Sequence, residues 1–298
     1  MHVFVTGASG FIGRAVVAEL LASGHEVTGL ARSPESASVV TGLGARVHRG
    51  HLDDLDSIRA GARAADGVIH LANKHDWADI DGSNRAERAA VATIADALAG
   101  SDRPFVLASG LALPALGRAA TERDINPAVG PDAPRGGSEN LALGYAENGV
   151  RVVSVRFAPT VHGEGDHGFV AVVARTARER GAAVYPGDGR NRWAAVHRLD
   201  AARLVRLGLE KATAGTILHA VAEEGVPVRR IVEALAERLA VPATSVTAAE
   251  LAAQIPFIGG VLGADMAADS TITRELLDWR PAGPTLLEDI AAGHYDQP

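Results

Sequence analysis

The sequence predicts a doubly wound α/β fold, a parallel sheet with helices on both faces, joined to a smaller and discontinuous C-terminal region. Three observations predict it. Apolar runs of strand length alternate with helical patterns from the first residues onward. One run, residues 67–72, is apolar throughout except for His70, as expected of a strand covered on both faces. The first run, Val3-Phe4-Val5, leads through Thr6-Gly7-Ala8-Ser9-Gly10-Phe11-Ile12-Gly13 into a helical pattern. Strand, glycine-rich turn and helix in that order build a dinucleotide phosphate site of the Rossmann type. Gly7 can turn at positive φ, Gly10 has no Cβ to hold a pyrophosphate away, and Gly13 lets the helix pack against the strand. The turn and helix start, with Ser9, Phe11 and Ile12, then offer backbone N–H groups to the anion.

Composition narrows the classes. With 298 residues, 47% apolar and 22% charged, the chain is an ordinary globular protein large enough for a substantial core. A net charge of −7 argues against nucleic acid or anionic membrane as the main partner. The absence of cysteine removes disulfides, thiol nucleophiles and thiolate metal sites. No apolar run approaches the roughly 18 residues of a membrane helix, and the first strand begins at once, so a cytoplasmic protein acting on a small molecule is expected.

Residues 14–23 read as the first helix, stopped at Gly24, and residues 26–31 as the second strand. The end of that strand selects the nicotinamide cofactor, because an acid there serves the ribose hydroxyls whereas a 2′-phosphate needs positive charge. Here it reads Leu30-Ala31-Arg32-Ser33, which favours NADP(H) over NAD(H), with Arg32 clamping the phosphate and Ser33 donating to it. A helix over residues 34–43 and a strand over 46–48 follow, and Asp53 or Asp54 caps a helix running to residue 64. His70 reads as a hydrogen-bonded core residue. Beyond it, Asn73-Lys74-His75-Asp76-Trp77 lies at a strand's carboxyl end, where open α/β sheets hold ligands, so Lys74 and His75 are candidates for proton transfer.

Residues 83–100 form a long amphipathic helix, 104–109 the fifth strand, 150–155 the sixth, 169–180 a helix and 216–220 a seventh strand. From residue 226 to about 253 the alanine-rich pattern is helical. The apolar, glycine-punctuated stretch 255–263 suits a flap over a pocket or an interface. His162, Glu164, Asp166 and His167 crowd one loop, but without a partner cluster they are not taken as a metal site. Arg190, Arg192 and Trp193 could grip an anionic or aromatic substrate. The resulting division is a nucleotide-binding domain over 1–160 with a return segment near 191–222, and a substrate region from 161–190 and 223–298.

The spacing of Thr6, Gly7, Gly10 and Gly13 resembles the extended and atypical short-chain dehydrogenase/reductase family, which is epimerase/dehydratase-like, and later landmarks extend the likeness over nearly the whole chain. The resemblance implies that Leu52, Leu71 and Ala72 pack on the cofactor, although His51 stands where relatives carry the adenine-side Asp. It implies that Ser109 hydrogen-bonds the substrate oxygen beside the cofactor, and that Phe157, Pro159 and Val161 lie in the nicotinamide loop, where His162 replaces an aromatic and becomes a candidate proton donor. Residues 187–202 resemble the family's Gly-x-Gly and Val-His-x-x-Asp block, with Asp200 as a helix cap, and Leu277-Asp278-Trp279-Arg280-Pro281 its closing motif.

One landmark is missing. Aligned on the sixth strand, the family's Tyr-x-x-x-Lys pair reads Arg135-Gly136-Gly137-Ser138-Glu139, and no other tyrosine has a lysine four residues on. Arg135 can polarise an oxygen but cannot donate a proton at ordinary pH, and the two substitutes, four apart, could pair on a helix. The resemblance therefore points to the atypical subgroup. The expected activity is an NADP-dependent oxidoreductase exchanging hydride with a small carbonyl, imine or enone, with Arg135 contacting substrate. A non-catalytic NADP-binding sensor or interaction protein comes second and a sugar-nucleotide epimerase or dehydratase third. Residues 83–100 and 139–149 could form the family's helix-bundle homodimer.

Overall fold

The computed structural model describes residues 1–76, 78–111, 117–254 and 258–296. Trp77 and the first part of the 255–263 stretch lie outside them. The first unit runs β1 (His2–Thr6), α1 (Phe11–Ala22), β2 (Glu26–Ala31), α2 (Pro34–Gly42), β3 (Arg46–Arg49), α3 (Leu55–Arg63), β4 (Gly67–His70), α4 (Ile80–Leu98), β5 (Pro104–Gly110), α5 (Ser138–Gly144) and β6 (Arg151–Phe157). After β7 (Thr160–His162), α6 (Phe169–Arg180), β8 (Ala183–Pro186) and β9 (Arg192–His197), the chain returns through α7 (Arg198–Lys211) and β10 (Thr216–Ala220). It ends with β11 (Glu223–Pro227), α8 (Val228–Leu239), β12 (Ala243–Val246), α9 (Ala248–Gln254), α10 (Ile258–Gly263), α11 (Thr271–Leu277) and α12 (Leu286–Ala291).

Seven parallel strands form the main sheet in the order β10-β6-β5-β4-β1-β2-β3. The doubly wound Rossmann architecture expected from the sequence is therefore present. Alternation along β1 shows how it is covered: Val3 and Val5 face the core shared with α1, α2 and α7, whereas Phe4 faces the core under α3, α4 and α5. The strand order reverses between β1 and β4, and the crevice at that point opens at the strands' carboxyl ends.

A second core lies beyond it. β11, β9 and β7 make a three-stranded sheet and β12 pairs with β8, packed with α6, α8 and α12 around Trp193, Ile231, Leu235 and Leu286. Because β9 belongs to this sheet, the return to the main sheet starts at Arg198 rather than near residue 191. Three other expectations are corrected. The helix from 226 breaks at Ala240, whose φ of 54° and the following Pro242 turn the chain into β12. The helix expected over 139–149 ends at Gly144 and passes into a tight turn closed by Gly149, so one side of the proposed dimer bundle is short. Asp200 does not cap α7, which starts at Arg198; its carboxylate instead accepts the N–H groups of Ala282 and Gly283. Among the described residues no helix is long and apolar enough to cross a membrane.

The closing motif staples the C-terminal segment to α7. Trp279 is 1% exposed, packs in the main core and donates Nε1–H to the Asp200 carbonyl at 3.1 Å. Trp279→Ala removes that volume and bond and should lower unfolding free energy by about 3–5 kcal/mol in urea titration; a loss below about 1 kcal/mol would show that the segment is only loosely attached.

Candidate functional site

The glycine-rich turn is built by close approach. Gly7 has φ +71°, and a Cβ there would meet the backbone of Leu71 and Ala72 at 2.8 Å; a Cβ on Gly13 would lie 2.0 Å from the Gly7 carbonyl oxygen. The turn is thus pressed between β4's exit and the start of α1. Gly10 caps α1 without a side chain, and the first helical turn carries no acid, so its N–H groups are open to an anion. Arg14 Nε braces the turn by donating to the Ser9 carbonyl at 2.8 Å. These features fit a pyrophosphate.

Thr6 and His70 lock the turn to β4. The Thr6 hydroxyl accepts the Ala72 N–H at 3.3 Å and shares a hydrogen bond with His70 Nδ1 at 2.8 Å. Burial, aided by the Arg135 charge, pushes the His70 pKa down to about 3. The core role expected for this histidine is observed.

At the end of β2, Ala31 is followed by an exposed Arg32, with no carboxylate bound to it among the described residues. Ser33 is committed to its own helix: it caps α2, accepting from Ser36 N–H at 3.3 Å while Ser36 Oγ returns to Ser33 N–H at 2.9 Å. Leu52 and Lys74 line an open groove of about 370 Å³ with Asp53, Leu55 and Arg85. Lys74 is held there by Asp53 at 2.7 Å, and Asp54 rather than Asp53 caps α3. Lys74 and His75, paired in the sequence reading, therefore part: Lys74 points into this groove.

His75 belongs to a hydrogen-bonded string. Its N–H donates to Asn73 Oδ1 at 2.8 Å; Asn73 donates to Glu87 at 2.5 Å; Glu87 takes Arg135 Nη2 at 2.5 Å and Nε at 3.2 Å. Burial, then the Arg135 charge and His167, hold the His75 pKa below its ordinary 6.5. Ser109 stands at the end of β5, 7% exposed, and its hydroxyl has no hydrogen-bond partner among the described residues.

The missing tyrosine and lysine positions have separate fates. Arg135 and Glu139 do not pair, because Arg135 sits at φ 56° in a left-handed turn ahead of α5, so four residues do not span a helical turn. Glu139 is instead buried in an ion pair with Arg156, Nε to Oε1 2.7 Å, and accepts Ser154 Oγ at 2.6 Å and Asn126 Nδ2 at 2.6 Å. Burial opposes its ionisation, but these three donors together hold its pKa below the usual carboxylate value.

Other expected residues lie elsewhere. His162 is fully buried with Nδ1 2.6 Å from Asp289, so it faces the C-terminal helix and has no surface for a substrate. Trp193 is 0% exposed in the second core, which removes it from substrate contact. Arg190 is an exposed turn residue near Asp188, and Arg192 is forked onto Asp265, Nη2 to Oδ2 3.0 Å. Phe157 is buried beneath the loop that follows β6, with Pro159 and Val161 partly exposed. The two histidines of the 162–167 loop diverge, for His167 packs edge-on against Phe11 at 5.9 Å between ring centres.

Glu87 was missed. Its signal was available, since it falls on the buried stripe of α4 with Ala90, Val91, Ile94 and Leu98, where a carboxylate demands a partner. Arg198 was also missed; its guanidinium carbon lies 5.5 Å from the Phe11 ring centre.

Comparison with known proteins bears on the family and the fold. Residues 3–221 match the model of the NAD dependent epimerase/dehydratase family. The chain is 41% identical to an uncharacterised protein of Schizosaccharomyces pombe over 296 residues, covering 99% of this chain and 100% of that one. It is 40% identical to an uncharacterised protein of Saccharomyces cerevisiae, covering 99% of each. Among solved structures it resembles DesIV, a dTDP-glucose 4,6-dehydratase of Streptomyces venezuelae crystallised with NAD and TYD, with TM-score 0.78, 21% identity and coverage of 99% and 96%. That likeness speaks for the fold.

The buried groups make stability pH-dependent. Folded His70 stays neutral down to about pH 3, whereas an unfolded imidazole protonates near 6.5. Across that window the unfolded chain binds the proton that the folded chain refuses, so stability is complete above it and falls as pH drops. Urea midpoints at pH 7 and pH 5 should differ less in His70→Asn than in the wild-type protein; equal differences would mean that His70 is not a buried neutral group. Glu139→Ala leaves Arg156 buried without its partner and should cost about 3–5 kcal/mol at pH 7, measured in the same titrations.

Proposed function

Because the chain belongs to the NAD-dependent epimerase/dehydratase family, we propose that it is an NADP-dependent oxidoreductase that exchanges hydride between NADPH and a small carbonyl, imine or enone. The observation that carries the cofactor half is the tight glycine-rich turn with its open helix start, joined to Arg32 at the end of β2 where no carboxylate competes for a 2′-phosphate. Bound there, NADPH supplies the hydride.

The chain's own groups do the rest. Ser109, with an uncommitted hydroxyl, donates a hydrogen bond to the substrate oxygen. Arg135, oriented by Glu87, polarises that oxygen through the face of its guanidinium fork that Glu87 leaves open. His75 holds the exchangeable proton: neutral at pH 7 because its pKa is lowered, it accepts a proton during alcohol oxidation and gives one during reduction only after taking it from solvent. Glu139 has no share in proton transfer, since it is consumed by Arg156.

That same consumption favours a second reading, a non-catalytic NADP-binding protein whose partner binding follows the NADP/NADPH ratio. Titration of the purified protein with NADPH and NADH, then a panel of aldehydes, ketones, imines and enones, separates the two. Turnover with NADPH that falls in Ser109→Ala and His75→Ala supports the enzyme; tight NADPH binding with no turnover supports the sensor; no binding of either nucleotide removes both. Arg32→Ala should weaken NADPH by about 10- to 100-fold while leaving NADH unchanged, as expected for one charge-assisted phosphate contact. The reductive rate should rise as pH falls below 6.5, and His75→Ala should flatten that rise.

A further inference from the structure

Arg198 opens α7 beside the loop 163–168, and its side chain reaches back across the molecule to the first turn. The guanidinium carbon stands 5.5 Å from the centre of the Phe11 ring, and Phe11 is the first residue of α1 after Gly10. Arg198 Nε is buried and has no hydrogen-bond partner among the described residues. Among the described residues no carboxylate pairs with this guanidinium either, although the chain has 36 acidic residues against 29 basic ones and neighbouring arginines, Arg192, Arg203 and Arg206, all find acids. A buried, unpaired N–H is costly unless a ligand completes it.

His167 holds Phe11 from another side, edge-on at 5.9 Å. The loop that carries it is pinned from below, where Tyr295 donates to Asp166 at 2.8 Å and Asp166 accepts the Gly168 N–H at 2.7 Å. Phe11 is thereby fixed between a cation and an anchored loop at the mouth of the pyrophosphate turn.

We propose that Arg198 is a second anion clamp on the dinucleotide, its guanidinium stacked on Phe11 and donating to a pyrophosphate oxygen held by the N–H groups of α1. The proposal rests on the dinucleotide reading above and adds a residue from the far side of the crevice. It gives the pyrophosphate a charged partner from outside the turn, whose own arginine, Arg14, is engaged with the Ser9 carbonyl, and it makes cofactor binding draw α7 and the 163–168 loop toward α1.

The test uses the full chain and calorimetric binding of ADP-ribose, which carries the pyrophosphate, and of 2′-AMP, which lacks it. Arg198→Met keeps the apolar stem and removes the charge. It should weaken ADP-ribose by about 10- to 100-fold and leave 2′-AMP within about 2-fold, with Arg198→Lys in between because it keeps charge without the planar stack. Unchanged ADP-ribose affinity in Arg198→Met overturns the clamp. So does an equal loss for both ligands, which marks general damage. A wild-type protein that binds neither ADP-ribose nor NADPH is a different result: it removes the dinucleotide reading itself.

Discussion

The ion pair between Glu139 and Arg156 is the buried constraint on which the arrangement of α5 and β6 depends. Both side chains are within 2% of full burial, and the carboxylate is further tied to Ser154 and Asn126 while Arg156 Nη1 donates to the Asp124 carbonyl. Two charges taken out of water at 2.7 Å persist only when the remaining donors and acceptors are also satisfied. Here they are, and the result joins α5, β6 and the 124–126 segment in one unit. The position from which related enzymes supply a lysine has become part of the framework. A separate string runs from the His75 backbone N–H through Asn73 and Glu87 to Arg135.

Much of the framework was legible because it follows from period and punctuation. Apolar strands, the spacing of Gly7, Gly10 and Gly13, and the stop at Gly24 are local features, and the structure places the strands of the main sheet and α1 within a few residues of their expected positions. The site was legible only in part, since proximity across the crevice is not a local property. Lys74 and His75 are neighbours that diverge. Arg190, Arg192 and Trp193 are neighbours spread over a turn and both sides of a strand, where alternation sends the indole into the second core and the guanidinium to Asp265. Conversely, Glu87 and Arg135 are 48 residues apart and meet, as do Phe11 and Arg198.

The replacement of tyrosine by arginine also illustrates how spacing misleads when the backbone state is wrong. A separation of four implies a shared helix face only if every intervening residue is helical. Arg135, Gly136 and Gly137 all have positive φ, so the chain coils left-handed before α5 begins, and the two side chains leave in different directions. One goes to α4 and the other to β6.

The anchoring of the 163–168 loop bears on the order in which the molecule becomes native. Its fastenings come from the end of the chain: Asp289 holds His162 across 127 residues and Tyr295 holds Asp166 across 129. Contacts of such separation carry a large loop-closure entropy and form after the nearer pairings of β1, β2 and β4 are in place. The loop that packs on Phe11 is thus fastened by α12 and the turn that follows it. Local opening of these fastenings would free the loop from Phe11 and the glycine-rich turn while leaving the seven-stranded sheet paired.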